Sequence, residues 1–182
     1  MEHHFKHICY DIDQLTSGTT KLSQFMIRLR RQADSLPDMH DPDKYFGDGF
    51  EALIEVLIGE MGSTPFIQIQ GYSPITELDM GVDGIGYGPK GEAHTVQVKA
   101  RSNTESVLTA NKDHISNFVA HSLSKYNAKN MTIFTTAKGL HEEIGKEMYM
   151  DKVNTIGYSA LRTMIDGNVM FWTKFRDHLI SG

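Results

Sequence analysis

The chain has 182 residues, 40% of them hydrophobic and 23% charged, with a formal net charge of −5; this suits one globular domain with a single good core. A single cysteine, Cys9, excludes an internal disulfide framework and a CxxC zinc site, and fits an intracellular protein. No apolar run approaches the roughly 18 residues of a membrane span and the N-terminus lacks a signal-peptide apolar region, so the expectation is a cytoplasmic protein (in the host cytoplasm if phage-encoded) with no membrane partner.

In chain order, MEHHFKH carries three histidines and reads as a flexible terminus or an appended tag, with metal binding as the alternative. Residues 20–36 have an amphipathic pattern, with Leu22, Phe25, Met26, Leu29 and Leu36 roughly on one helical face. The polar stretch PDMHDPDK follows, so residues 1–43 are expected to form an N-terminal helical extension to a domain spanning 44–182. Residues 44–61 carry the clearest helical signal: Phe46, Phe50, Leu53, Ile54, Leu57, Ile58 and Met61 keep the 3.6-residue period, and Gly62 is a plausible stop. Glu51 falls at the margin of that stripe. It is either a surface residue with a snorkelling stem or a carboxylate looking along the edge of the surface the helix covers.

TPFIQIQGY is strand-like, and MGVDGIGYGPKGEAHTVQVKA reads as a β-hairpin around a Gly/Pro turn. Residues 112–126 look helical, MTIFTT is a buried strand, LHEEIGKEMYM a helix, NTIGYS a short strand and SALRTMI a short helix; NVMFWTKFRDHLI is ambiguous. This order indicates an α/β domain with a mixed sheet flanked by helices. Between Pro89 and Lys138 seven Lys/Arg face three Asp/Glu, so this segment is +4 and the remainder −9. A basic face on an acidic molecule, or simply a solvated surface, would give that pattern.

GYGPKG formally matches GxGxxG, but Pro89 removes a backbone donor and a strand follows instead of a helix, so no nucleotide cofactor is expected. The hairpin is more informative. With the turn centred on Lys90, facing residues have numbers that sum to 180, which sets Asp83 opposite Gln97, with Lys99 one step along the same face. A half-buried strand with a polar face and an Asp–Lys ion pair would also place these residues there. A cation site is the sharper reading. Asp83 and the Gln97 amide offer hard oxygens suited to Mg²⁺, with the Val98 backbone carbonyl and, if it joins, Glu51. Lys99 could then position or help deprotonate an attacking water and stabilise charge on a phosphate.

Glu51 on a helix, GVDGIG (81–86) and VQVK (96–99), in that order and spacing, resemble the PD-(D/E)XK nuclease superfamily, in particular its Mrr-like restriction endonuclease branch, in which Gln commonly replaces the acidic residue before X-Lys. FEALIEVLIGEMG and MTIFTT also resemble that branch's elements, and the likeness covers roughly residues 44–166. Two departures are Val82 where the motif has Pro, and neutral Gln97. The resemblance implies a restriction-endonuclease-like fold and metal-dependent hydrolysis of phosphodiester bonds. Asp83 and Gln97 would be metal ligands, Lys99 the catalytic lysine and Glu51 an accessory acid, with Mg²⁺ as cofactor and Mn²⁺ able to substitute. Arg101, Ser102, Asn103 and Lys112, past the catalytic strand, could contact DNA phosphates, or form a polar loop. Family habit favours DNA over RNA, in a restriction, junction-resolving, repair or phage-type processing role, and a homodimer would let two sites cut two strands. The alternatives are a non-catalytic nucleic-acid-binding or assembly module on the same fold, and an unrelated α/β binding protein.

Overall fold

A computed structural model describes residues 4–37, 41–144 and 150–181. Three helices open the chain: α1 (Phe5–Ile8), α2 (Ile12–Thr16) and α3 (Leu22–Asp34). The expectation of a flexible N-terminus is corrected from His4 onward. Phe5 is fully buried with its ring edge-on to Tyr45, centroids 5.2 Å apart, and His4 Nε2 lies 3.1 Å from Asp48 Oδ2. A single aromatic in so short a segment has no period to read, and only the distant partner reveals that it is core. Helix α3 buries Leu22, Phe25, Met26 and Leu29, as the pattern requires, but ends at Asp34, so Leu36 packs partly buried against the core from beyond the helix. Its first amide, Leu22 N–H, donates to Asp166 Oδ1 at 2.8 Å, a cap supplied from the far end of the chain.

Helix α4 (Pro42–Met61) begins with Pro at its first position, and the Asp41 carboxylate accepts from the Asp43 and Lys44 amides at 3.0 and 3.2 Å. Six of the seven stripe residues are buried. The stop at Gly62 is right-handed, with φ −61°, so the left-handed cap is not the reason for glycine here. Ile69 N–H donates to the Gly62 carbonyl at 2.9 Å, and a Cβ on Gly62 would collide with the Ile69 carbonyl. Close backbone approach demands the glycine.

The sheet follows: β1 (Gln70–Pro74), β2 (Gly84–Tyr87), β3 (Ala93–Lys99), β4 (Val107–Leu108), α5 (Ile115–Tyr126), β5 (Asn130–Thr135), β6 (Gly139–Leu140), a 3₁₀ turn (Met150–Lys152), β7 (Val153–Ile156), α6 (Tyr158–Ile165) and α7 (Val169–Ile180). Five strands in the order β1-β2-β3-β5-β7 form one mixed sheet, antiparallel across β1, β2 and β3 and parallel across β3, β5 and β7. The fold is thus α/β with a mixed sheet flanked by helices, as the sequence indicates. The β2–β3 register pairs Gly84 with Val96 and Ile85 with Thr95, so facing numbers sum to 180 as expected.

Two expectations shift. The strand anticipated over 64–72 begins only at Gln70; Ile67 and Ile69 are buried without strand pairing, and Gln68 turns the chain at φ +54°. The helix expected over 140–150 fails at its start, because Leu140 pairs in parallel with Leu108, and His141 N–H donates to the Leu108 carbonyl at 2.8 Å. The four-residue spacing of Leu140 and Ile144 suits a helix, but the neighbouring β4 recruits the backbone first. Residues 145–149 of that expectation lie outside the described residues. The ambiguous C-terminal stretch is a helix, α7, capped by the Asn168 side chain.

Alternation along β3 separates two layers. Val96 and Val98 join Phe134 and Ile156 in a cluster with α1, α3, α4, α6 and α7. The opposite face packs Met131 and Ile133 against Ile115, Phe118 and Val119 of α5. Thr95 Oγ1 donates to Ser122 Oγ of α5 at 2.8 Å, which fixes the odd-numbered side chains of β3, Gln97 included, on the α5 face.

Candidate active site

Asp83, Gln97, Val98 and Lys99 lie at the C-terminal end of β3. Asp83 N–H donates to the Val96 carbonyl at 2.8 Å, and Val98 N–H donates to Asp83 Oδ2 at 2.7 Å. The Asp83 carboxylate therefore takes the place of a strand partner at the point where β2 leaves β3. Backbone groups two residues apart on a strand turn to the same edge, so the Val98 carbonyl faces the side on which Asp83 sits. Gln97 is fully buried on the α5 face, and among the described residues neither its Oε1 nor its Nε2 has a hydrogen-bond partner. Lys99, half-buried, ends the strand two residues further on the same face.

Glu51 and Asp83 meet around a residue the sequence does not single out. The Tyr72 phenol on β1 is pushed well above its ordinary value by burial and then by the charges of Asp83, Glu51 and Glu55. Glu55 lies one helical turn after Glu51, and that spacing was a usable signal. Its carboxylate is 3.7 Å from His178 Nε2 of α7. A Cβ on Gly84 would overlap the Tyr72 hydroxyl and ring, so glycine at 84 admits the phenol beside Asp83. Tyr72, Glu55 and His178 also line a cleft of about 770 Å³ between α4, β1 and α7. Glu51 and Gln97 thus approach from opposite faces of β3, with Asp83 at the edge between them.

The residues past β3 are not brought together. Arg101 donates to the Asp113 carboxylate and, from Nη1, to the Ala100 carbonyl at 2.7 Å. Burial alone would raise the Asp113 carboxyl, but the Thr109 N–H and the Arg101 guanidinium hold it below its ordinary value. Ser102, Asn103 and Lys112 are exposed.

A second cluster has no signal in the sequence. Asp79 Oδ1 lies 2.6 Å from His121 Nε2 and accepts from Lys125 Nζ at 2.9 Å, while Asp79 Oδ2 accepts from the Tyr126 hydroxyl. Burial opposes ionisation, yet these three partners hold the carboxyl at about 2 against an ordinary 3.8. A carboxyl whose value is depressed by folding adds stability that is complete above its unfolded value and is lost as pH falls through its folded one. The stability difference between the wild type and Asp79→Asn should therefore be constant above about pH 5 and close between about pH 4 and 2. Urea midpoints measured across that range test it, and a difference that stays constant down to the lower limit contradicts it.

A divalent cation is compatible with the first cluster on the chemistry of its donors: one carboxylate, a buried amide oxygen with no partner and a strand-edge carbonyl are hard oxygen ligands. Among the described residues, no three His, Cys, Asp or Glu side chains are placed to hold a metal ion, so any such site would depend on the neutral Gln97 and on Val98. A family model described as a restriction endonuclease, Mrr_cat_2, matches residues 67–176. The chain belongs to that restriction endonuclease family. Membership supports a nuclease-like role and agrees with the mixed sheet. Asp83, Gln97 and Lys99 fall inside the matched span, whereas Glu51, Glu55 and helices α1–α4 precede it. No curated protein matches the chain. Among the described residues, no helix is long and apolar enough to cross a membrane.

Proposed function

We propose that this chain is a metal-dependent DNA endonuclease, working in the cytoplasm, whose centre lies where β2 parts from β3. The observation that carries the reading is the Asp83 carboxylate seated on the Val98 amide, with Gln97, whose amide has no hydrogen-bond partner among the described residues, on the same strand two residues before Lys99. Asp83, Gln97 Oε1 and the Val98 carbonyl would hold Mg²⁺, for which Mn²⁺ could substitute, with Glu51 accessory. When bound, the cation supplies Lewis-acid polarisation of a phosphoryl oxygen. Lys99 orients or deprotonates the attacking water and offsets charge developing on the scissile phosphate. Among the described residues its ammonium is in no ion pair, which leaves it available for that role. Exposed Ser102, Asn103 and Lys112, with Arg101 steadied by Asp113, would touch backbone phosphates and set the register of the duplex. A homodimer would bring a second such centre to the other strand.

Incubation with supercoiled, linear and branched DNA tests this. Cleavage is expected with Mg²⁺ or Mn²⁺, none in EDTA, and a loss of at least about 100-fold in Asp83→Ala. Cleavage that persists in EDTA contradicts metal dependence. One observation favours a second reading, a binding module on a nuclease fold: Gln97 is neutral and fully buried, so of Asp83, Gln97 and the Val98 carbonyl only Asp83 brings a charge to a cation. DNA binding without cleavage of any substrate would select it.

A further inference from the structure

Asp79 occupies a position that the nuclease chemistry above does not use, and it begins a turn that lies beside Asp83 and Gln97, two of the residues assigned to the cation. Residues 79–82 form a tight turn closed by Val82 N–H donating to the Asp79 carbonyl at 2.9 Å, with Met80 at φ +52° and Gly81 at φ +89°. Two successive positive φ values define a type I′ geometry, which a non-glycine residue such as Met80 adopts only when its surroundings impose it. The surroundings are on α5, where His121, Lys125 and Tyr126 all engage the Asp79 carboxylate across more than forty residues of chain. That carboxylate is largely buried, with 12% of its side chain exposed.

The turn lies against Gln97 and leads directly into Asp83. A Cβ on Gly81 would lie 2.8 Å from Gln97 Nε2 and 3.4 Å from Phe118 Cβ, so the turn backbone lies directly over the Gln97 amide and against α5. One residue after the turn ends, Asp83 sets its carboxylate on the Val98 amide. Among the described residues the Gln97 amide has no hydrogen-bond partner, and the turn covers it from outside while leading directly into Asp83.

We infer that Asp79 is a positioning residue, the anchor through which α5 fixes the 79–82 turn and thereby the placement of Asp83 and Gln97. The consequence for catalysis rests on the proposed function, but the geometric part does not. Partners that orient a ligating side chain without touching the cation commonly matter 10- to 100-fold to its affinity, and Asp79 stands in that relation to Asp83.

The deciding measurement is amide hydrogen exchange, read residue by residue by NMR. In Asp79→Ala the Val98 amide, which donates to Asp83, should exchange at least about tenfold faster. The amides of Gln97 and Lys99, which face β5, should keep their protection. Mn²⁺ binding, followed by its EPR signal, should weaken by about 10- to 100-fold, and cleavage should fall in kcat with KM for DNA unchanged. If Asp79→Ala does not fold, Lys125→Met and Tyr126→Phe each remove one donor from the clasp and should give smaller increases in Val98 exchange. A Val98 amide as protected in the variants as in the wild type overturns the inference, whatever happens to cleavage. A wild type that cleaves nothing overturns the nuclease reading alone, because the exchange result still decides whether Asp79 positions Asp83.

Discussion

Lys99→Ala should lower metal-dependent DNA cleavage by about 10²- to 10⁴-fold, the range over which a positioned acid, base or charge-stabilising group contributes. The thermal midpoint and DNA affinity should stay near those of the wild type. The separation follows from where Lys99 sits. Its backbone is part of the fold, because the Lys99 carbonyl accepts from Thr135 Oγ1 at 2.7 Å and from the Thr136 amide at 3.3 Å, and alanine preserves both bonds. Its half-buried side chain belongs to neither hydrophobic cluster. Lys99→Arg refines the test: arginine keeps the charge but cannot give up a proton at working pH. Residual activity in the arginine variant well above that of alanine assigns Lys99 to charge stabilisation, and equal loss assigns it to proton transfer. Single-turnover rates on a cleavable duplex, with binding measured in Ca²⁺, distinguish these outcomes. Wild-type rates in Lys99→Ala would remove the lysine from the mechanism.

Phe175→Ala should destabilise the protein by about 3–5 kcal/mol, the usual cost of emptying a buried phenylalanine site. The ring is fully buried, stands edge-on to Phe25 of α3 at 5.3 Å and lies 6.3 Å from Trp172. That contact joins the first 43 residues to the last helix. Phe5, Leu15, Leu22, Phe25 and Leu29 share one cluster with Phe50 and Leu53 of α4 and with Phe171 and Leu179 of α7. Arg176 adds a bond to Thr16 Oγ1 at 2.9 Å. Urea unfolding should accordingly show one transition that moves to lower midpoint with unchanged slope. Two separated transitions would show instead that the N-terminal helices fold as an independent extension.

The strand that carries the proposed site was legible in the sequence because its signals are local. A strand's period of two puts Gln97 and Lys99 on one face, a five-residue turn fixes the hairpin register, and these together set Asp83 opposite Gln97 before any tertiary contact is known. The α4 stripe is legible for the same reason, since its seven apolar positions keep the helical period. What the pattern leaves out is direction beyond the strand end. Register alone stands the Asp83 side chain beside Gln97, whereas in the fold it turns into the strand edge and accepts from Val98 N–H.

The sequence by itself determined the mixed α/β order, the 180-sum register of β2 with β3 and the placement of Gln97 and Lys99 on one face of the strand end. The tertiary structure alone decided that Phe5 belongs to the core, that Arg101 is committed to Asp113, that Tyr72 stands among Glu51, Glu55 and Asp83, and that α5 holds Asp79. The physical reason is range. Periodicity records which side of an element is buried, over a few residues of chain. Asp79 and Tyr126 are 47 residues apart, and a partner at that distance is set by the path of the whole chain, which leaves no repeating mark on the residues it joins.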